Sequence, residues 1–499
     1  MIKSFRIQNL RSIKDSGAIE LKPLTVLIGR NSSGKSTVLR SFPLLKQSFG
    51  VAAADPILWY GPYVDFGSFK NSISSSCDPD KDTIAFELSL HSFAERYVYP
   101  RIRAADDATV RYEISEHEVI GYHIETGPNA IEFHLGEDKR YFVVINGEKC
   151  LDGCFRADRV YRIAFPRFKD YGFDGSPMGI YYGYGLHLPN NVASKYYSIL
   201  DDSRTKGDPE VDFNSLVTLS SIRDKVENLT KKKTNKDDPS LVFSEDDLTT
   251  LAENILINSL INLCAALENA IKKELQRISY FQPIRARGDR YYRIQGLRTT
   301  EIDSDGENGP MFLLNLSQNE RRSFESWCYH NFGFTYSVTN ESGGDNISVV
   351  VKTKGGSAAR NMTDVGFGYS QIFPIILSLW NGEANRGEQR KKKGGLFIIE
   401  QPELHLHPAF QKRFMNAIIK MIQLNANKKE PLSFIIETHS ETIVNYIGKR
   451  ISEGLSPDNV NLIYCQKGIR QAATSFRRMR FDKDGLIENW PVGFFSDEE

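Results

Sequence analysis

The run Thr25-Val-Leu-Ile-Gly29-Arg-Asn31-Ser32-Ser33-Gly34-Lys35-Ser36-Thr37 holds residues whose order permits phosphate chemistry. Its spacing is G-x-x-x-x-G-K-S, between an apolar strand and a helix-forming stretch, which is the context a Walker A phosphate loop requires. Gly29 and Gly34 allow a tight loop whose backbone N–H groups face inward, with Asn31, Ser32 and Ser33 between them. Lys35 is spaced to reach the β- and γ-phosphates of a nucleotide and Ser36 to bind Mg2+. The helix that opens around Thr37 adds the positive end of its dipole.

Two more strand ends carry chemistry. Leu396-Phe-Ile-Ile-Glu400-Gln401-Pro-Glu403 is four apolar residues closed by a carboxylate, the Walker B arrangement. A buried strand delivers Glu400 to its carboxyl end, where it holds Mg2+ or its coordinated water. Ile435-Ile-Glu-Thr-His439-Ser440 ends another apolar strand in a histidine. There a neutral imidazole would hydrogen-bond the γ-phosphate or the attacking water. The residue after Glu400 is Gln401, which orients water but accepts no proton. General-base help is typically worth about 10²–10⁴-fold, so slow hydrolysis is the expectation. Glu403 points away from the site unless the turn redirects it. His405 and His407 read as part of the same loop rather than as metal ligands.

The elements that position these residues lie at the two ends of the chain. Residues 1–23 read as two strands, with Phe5, Ile7 and Leu10 in one and Ile19 and Leu21 in the next, and the phosphate-loop helix ends near Phe49. Residues 83–175 alternate apolar and polar residues between turns such as Asn146-Gly147 and Asp152-Gly153, which predicts an antiparallel β lobe. Leu251, Ile255, Leu256, Leu260, Ile261 and Leu263 recur at helical spacing within a 251–275 helix, after loops at 201–203 and 206–209. Lys231–Pro239 reads as a loop with solvated lysines, the other reading being a contact to nucleic acid or a partner. Strands at 395–399, 432–436 and 460–464 alternate with helices at 408–424 and 440–450, so a parallel sheet is expected.

The fold class expected is therefore α/β, with a P-loop ATPase domain split by the sequence, an antiparallel β lobe and an inserted helical region. Residues 1–200 would hold its first part with the β lobe, 201–280 the helical insertion, 281–480 the second part and 481–499 a tail.

Composition narrows the classes. The 499 residues carry 63 basic and 63 acidic side chains, so charge gives no independent support for wrapping nucleic acid. Apolar residues make up 40% and charged residues 25%, as in ordinary globular chains. No run of about 18 apolar residues occurs, and the N-terminus lacks the apolar core of a signal peptide, so no membrane span and a cytoplasmic location are expected. Of six cysteines only Cys150 and Cys154 lie close together, which reads as free thiols.

Together the motifs resemble ABC-type ATPases of the SMC, RecF and OLD group. Phe5-Arg-Ile-Gln-Asn-Leu-Arg11-Ser12 resembles that group's first strand and arginine loop, and Arg11 matches the arginine that contacts nucleotide. Glu400-Gln-Pro-Glu-Leu-His-Leu-His-Pro408 resembles the Walker B and D-loop run, and Thr438-His439-Ser440 the switch histidine. Asp364-Val-Gly-Phe-Gly-Tyr-Ser370-Gln371 resembles the ABC signature, which implies Ser370 and Gln371 at a helix N-terminus that binds the γ-phosphate held by a second subunit. No Q-loop glutamine stands out, and Gln47 reads as part of the first helix.

A closer resemblance spans nearly the whole chain. The phosphate loop, Tyr280-Phe-Gln-Pro-Ile-Arg285, the Glu400–Glu403 run and the tail Asp484–Phe495 look like a bacterial group of AAA-labelled ATPases. Many of these are similar to anti-phage defence ATPases, such as the PtuA component of Septu and of certain retrons, which pair with an HNH nuclease. The resemblance implies ATP and Mg2+, a homodimer or higher homo-oligomer, and a regulatory subunit controlling a separate effector, an HNH nuclease or another toxin. The chain shows no H-N-H pattern, and the roughly 60 residues after His439 are too few for a TOPRIM nuclease. The alternatives are a RecF-like repair ATPase acting directly on DNA and a scaffold that holds ATP without turnover. The segment Arg285-Ala-Arg-Gly-Asp-Arg-Tyr-Tyr-Arg293 suits a groove, a dimer interface or single-stranded nucleic acid, and partly buried packing is the preferred reading.

Overall fold

The computed structural model describes residues 1–49, 55–91, 102–103, 105–156, 165, 167–168, 192, 211–233, 243–296, 299, 301–340, 344–356, 358–384, 395–428, 431–467 and 473–490. The phosphate-loop strand Leu24–Gly29 lies inside a sheet built otherwise from the second half of the chain. Its spatial order is Ile278–Phe281, Gly395–Glu400, Leu432–Glu437, Leu24–Gly29, Val460–Lys467, Thr474–Phe481, Ile487–Glu488. The first five strands are parallel and the last two antiparallel. The expected split of the nucleotide domain is thus observed, and the strand-end residues meet at one edge.

Parallel strands covered on both faces are apolar throughout, and alternate residues point to opposite sides. Leu24, Val26 and Ile28 enter one core with Phe397, Ile399, Phe434, Ile436 and Leu462. Leu27, Ile398, Ile435, Ile463 and Cys465 enter the other. That second core is shared with Val38, Leu39 and Phe42 of the phosphate-loop helix Lys35–Ser48 and with the β lobe.

The β lobe is a ten-stranded antiparallel sheet among the described residues. Asn146 (φ 54°) and Gly147 (φ 84°) form the two-residue hairpin turn that the sequence predicts. Asp152-Gly153 is different. It lies inside the strand Glu148–Arg156 as a bulge, with Gly153 at φ 62°, and the ladder shifts between Tyr141 and Val143.

Of the region expected as a helical insertion, the described helices are Leu219–Lys233 and Glu245–Gln276, and Ile278–Phe281 is already an edge strand of the parallel sheet. The expected loops at 201–203 and 206–209 lie outside the described residues, as do 234–239 of the lysine-rich run, whose first lysines end the Leu219–Lys233 helix. Ser244 and Asp247 close a capping box on the long helix. That helix is long and apolar enough by composition to cross a membrane, although the sequence offers no unbroken apolar run. Its packing accounts for the composition: 61% of the apolar window is buried, with Leu251, Leu256, Leu260, Leu263 and Leu267 against the phosphate-loop helix and the β lobe.

The described part of the tail, to Trp490, is paired and packed. Ile487–Glu488 pairs with Arg480–Phe481, and the turn before it lies against the helix Glu441–Ser452. A Cβ on Gly448 would stand 2.3 Å from the Gly485 carbonyl oxygen. Gly448→Ala is expected to destabilise the protein by about 1–3 kcal/mol through overpacking, and Gly296→Ala, with open space around it, by less than about 0.5 kcal/mol. Thermal and urea unfolding of the two variants check this.

Candidate nucleotide site

The phosphate loop needs its glycines for space as well as for conformation. A Cβ at Gly29 (φ 156°) would lie 2.2 Å from the Cys465 carbonyl oxygen of the neighbouring strand. Gly34 (φ 84°) caps the helix without a side-chain acceptor, and the first turn has no acid, so the first N–H groups of that helix remain available to an anion. Ser32 adopts φ 59°; Asn31 and Ser32 are exposed, while Ser33 is buried with an unbonded hydroxyl.

Lys35 is 3% exposed and donates to the Gly29 and Arg30 carbonyls at 3.0 and 2.8 Å. Burial pulls its pKa down, and Glu437 opposes this. Ser36 donates to Glu437 Oε1 at 3.0 Å, and Lys35 Nζ lies 3.8 Å from the same oxygen. Thr37 is buried, and its carbonyl accepts from the Ser41 hydroxyl.

The strand ends supply three carboxylates. Glu400 and Glu437 are register partners on adjacent strands, 1% and 2% exposed. Glu400 Oε1 accepts from Arg40 Nε at 2.9 Å and from the Tyr280 hydroxyl at 2.6 Å, and Oε2 accepts from Arg40 at 2.8 Å. Its carbonyl accepts from Arg285 at 2.8 Å. Burial, then the neighbouring Glu400, push Glu437 up to about 7. Gln401 takes φ 43° and donates its backbone N–H to the Glu437 carbonyl. This left-handed step is the turn that redirects Glu403. Its Oε1 accepts the His439 backbone N–H at 2.8 Å, its Oε2 is buried without a hydrogen bond, and burial raises its pKa. Burial and Lys35 push His439 down to about 4, so its imidazole is neutral at pH 7.

The other expected residues fall into two groups. Arg11 (φ 51°) stacks its guanidinium 4.2 Å over Phe66, and burial followed by Arg40 lowers its pKa, so it shares the field of the phosphate-loop helix. Ser370 and Gln371 stand in the first turns of the helix Phe367–Ala384, but neither is bonded to the phosphate loop. Ser370 donates to the Phe367 carbonyl, and Gln371 brackets the Arg285 backbone at 3.2 and 3.1 Å. Gln47 is buried and braces Leu58 and Val64, as a residue of the first helix. His407 caps the helix Pro408–Asn425, and no metal-holding cluster of His, Cys, Asp and Glu occurs among the described residues.

Four members of the crevice carry no nucleotide-site role in the sequence reading: Arg40, Tyr280, Arg285 and Glu437. Glu437 had the same signal as Glu400, an acid closing an apolar strand. Arg40 lies four residues after Ser36, on the same helix face. The Arg285–Arg293 segment is partly buried, with Ala286, Gly288 and Tyr292 half-buried. Arg285 is buried, but Arg287, Arg290, Tyr291 and Arg293 are exposed.

The family model described as AAA ATPase domain matches residues 1–289 and 190–444. No curated protein matches the chain. Among solved structures, the Smc head domain bound to the C-terminal domain of ScpA, from Pyrococcus furiosus, is 12% identical with a TM-score of 0.38, over 96% of each chain. The SMC head domain from Thermotoga maritima is 10% identical with a TM-score of 0.36, over 96% of this chain and 98% of that one. With a phosphate loop at 29–36 and the family match running through both halves of the split domain, the chain belongs to the AAA ATPase domain family.

Proposed function

We propose that the protein binds ATP with Mg2+ and hydrolyses it slowly, using nucleotide occupancy as a signal. The observation that carries this is the meeting of Lys35 and Ser36 with the strand-end acids: Ser36 bonds Glu437, whose register partner is Glu400. The loop amides and Lys35 would receive the phosphates, and Arg11 the nucleotide. Ser36 and the strand-end acids would hold Mg2+, which supplies charge neutralisation at the phosphates. Hydroxyl and carboxylate oxygens fit that ion.

Hydrolysis needs a proton acceptor for water. Gln401 provides none. Glu403, turned back into the crevice with one oxygen unbonded, is the acid available to carry residual turnover, with His439 neutral beside it. Slow turnover suits a switch: ATP sandwiched between this loop and Ser370 of a second copy would set the dimer population through its differential affinity for the two states.

The wider role proposed is the regulatory or sensor subunit of an anti-phage defence complex that controls a separate effector nuclease. Its support is the resemblance of the phosphate loop, the 280–285 run and the Glu400–Glu403 run to such ATPases. A second reading, direct action on DNA in the manner of RecF, gains from the exposed Arg287, Arg290, Tyr291 and Arg293, which suit single-stranded nucleic acid.

Lys35→Ala is expected to abolish ATP binding. Glu403→Gln is expected to retain it and to lower phosphate release about 10²-fold. Calorimetry and single-turnover release assays check both, and a fast turnover insensitive to Gln401→Ala overturns the slow-switch reading. ATP is expected to shift the protein towards dimer in sedimentation, and Ser370→Arg to block that shift. Copurification with an effector encoded next to it, with protection from phage lost in Lys35→Ala, supports the defence role. Salt-sensitive binding of DNA by the protein alone supports the second reading instead.

A further inference from the structure

The acid that faces the phosphate loop is not the one its strand-end motif singles out. Among the described residues, the donors to the Glu400 carboxylate are Arg40 and Tyr280, which use both of its oxygens. Arg40 follows Ser36 by one helical turn, so Glu400 is neutralised from the same helix that begins at the phosphate loop. One strand nearer the loop, Glu437 shares an oxygen between the Ser36 hydroxyl and Lys35, and its Oε2 is buried with no hydrogen bond. A buried carboxylate oxygen without a donor is costly to retain, and a cation is the partner that offsets it.

The donor set identifies the cation's class. A hydroxyl and a carboxylate are hard oxygen donors, suited to Mg2+ and not to metals that seek thiolate or imidazole. Among the described residues no cluster of His, Cys, Asp and Glu forms a cage of its own. Mg2+ needs none when one or two carboxylates share it with substrate phosphates.

We propose that Glu437, beside Ser36, is the carboxylate that directly holds the nucleotide's divalent cation, and that Glu400 is a positioning residue that fixes Arg40 and Tyr280 behind it. This rests on the ATP reading of the same site. Lys35 donates to the Gly29 and Arg30 carbonyls and meets Glu437 only as an ion pair at 3.8 Å, a contact for which a phosphate would compete. Once Lys35 is drawn to the nucleotide, Glu437 keeps only Ser36, and a divalent cation restores the balance of charge.

The test uses Mn2+ in place of Mg2+, read from the electron paramagnetic resonance of free Mn2+ with the full chain in excess over ATPγS. Glu437→Gln keeps the shape of the side chain and an acceptor for Ser36. Binding of ATPγS in EDTA shows that the variant is folded, and it is expected to lose more Mn2+ affinity than Glu400→Gln, for which a positioning role predicts a loss of about ten- to a hundredfold. Glu437→Asp, which keeps the charge, is expected to recover part of the loss in Glu437→Gln. Unchanged Mn2+ affinity in Glu437→Gln, or a larger loss in Glu400→Gln than in Glu437→Gln, overturns the assignment. Failure of the parent protein to bind ATPγS at all overturns the ATP reading itself, which separates the two failures.

Discussion

Charge balance in a buried crevice governs this structure. Glu400, Glu403 and Glu437 gather at the ends of two adjacent strands, and Lys35, Arg40 and Arg285 face them. Isolated carboxylates at such depth would not stay ionised. Each cation comes from a different part of the architecture. Lys35 and Arg40 come five residues apart from the phosphate-loop helix, and Arg285 from the segment after the edge strand that supplies Tyr280. Removing one member of such a buried set leaves an uncompensated charge at a cost of about 3–5 kcal/mol. The site is thereby a fastening between the two halves of the chain as well as a place for chemistry.

Arg285 shows how far that fastening extends. Burial pulls its pKa down to about 10, with Glu403 and Glu400 opposing the shift. Its guanidinium holds the Glu400 carbonyl while Gln371 grips its backbone on the other side. The helix that begins at Phe367 is therefore joined through one arginine to the end of the Glu400 strand. A displacement of that helix would be felt at the acids, which is the physical route by which the second copy proposed above would be coupled to the nucleotide.

The fold was legible where one residue type repeats with a clear period. The apolar strands that end at Gly29, Glu400 and Glu437, and the helices after them, appear within a residue or two of their expected bounds. Asp152-Gly153 misled because a turn pair and a bulge share the same chemistry, a residue that tolerates positive φ. The helix Gln318–Phe332, capped by Ser317 and Glu320, and the strands Phe334–Thr339 and Asn346–Thr353 carry ordinary sequence signals that a reading aimed at motifs passes over. Within the site, the phosphate loop was readable because its chemistry is local. Arg40, Tyr280 and Arg285 were not, since what gives each meaning is a bond to Glu400, to its carboxylate or its carbonyl, more than 100 residues away. Glu403 turned on a single backbone angle, the left-handed φ of Gln401, which no residue type announces.

The placement of the phosphate-loop strand has a consequence for how the protein comes into being. Leu24–Gly29 pairs on one side with Leu432–Glu437 and on the other with Val460–Lys467. A ribosome adding about 5–20 residues per second makes the loop roughly 20 to 80 s before it makes either neighbour. Throughout that interval an apolar strand has no sheet to join, and the growing chain holds no nucleotide pocket to close. ATP can favour the folded state only after those two neighbours have been made, so protection of the nascent strand falls to the β lobe and the helices translated in between.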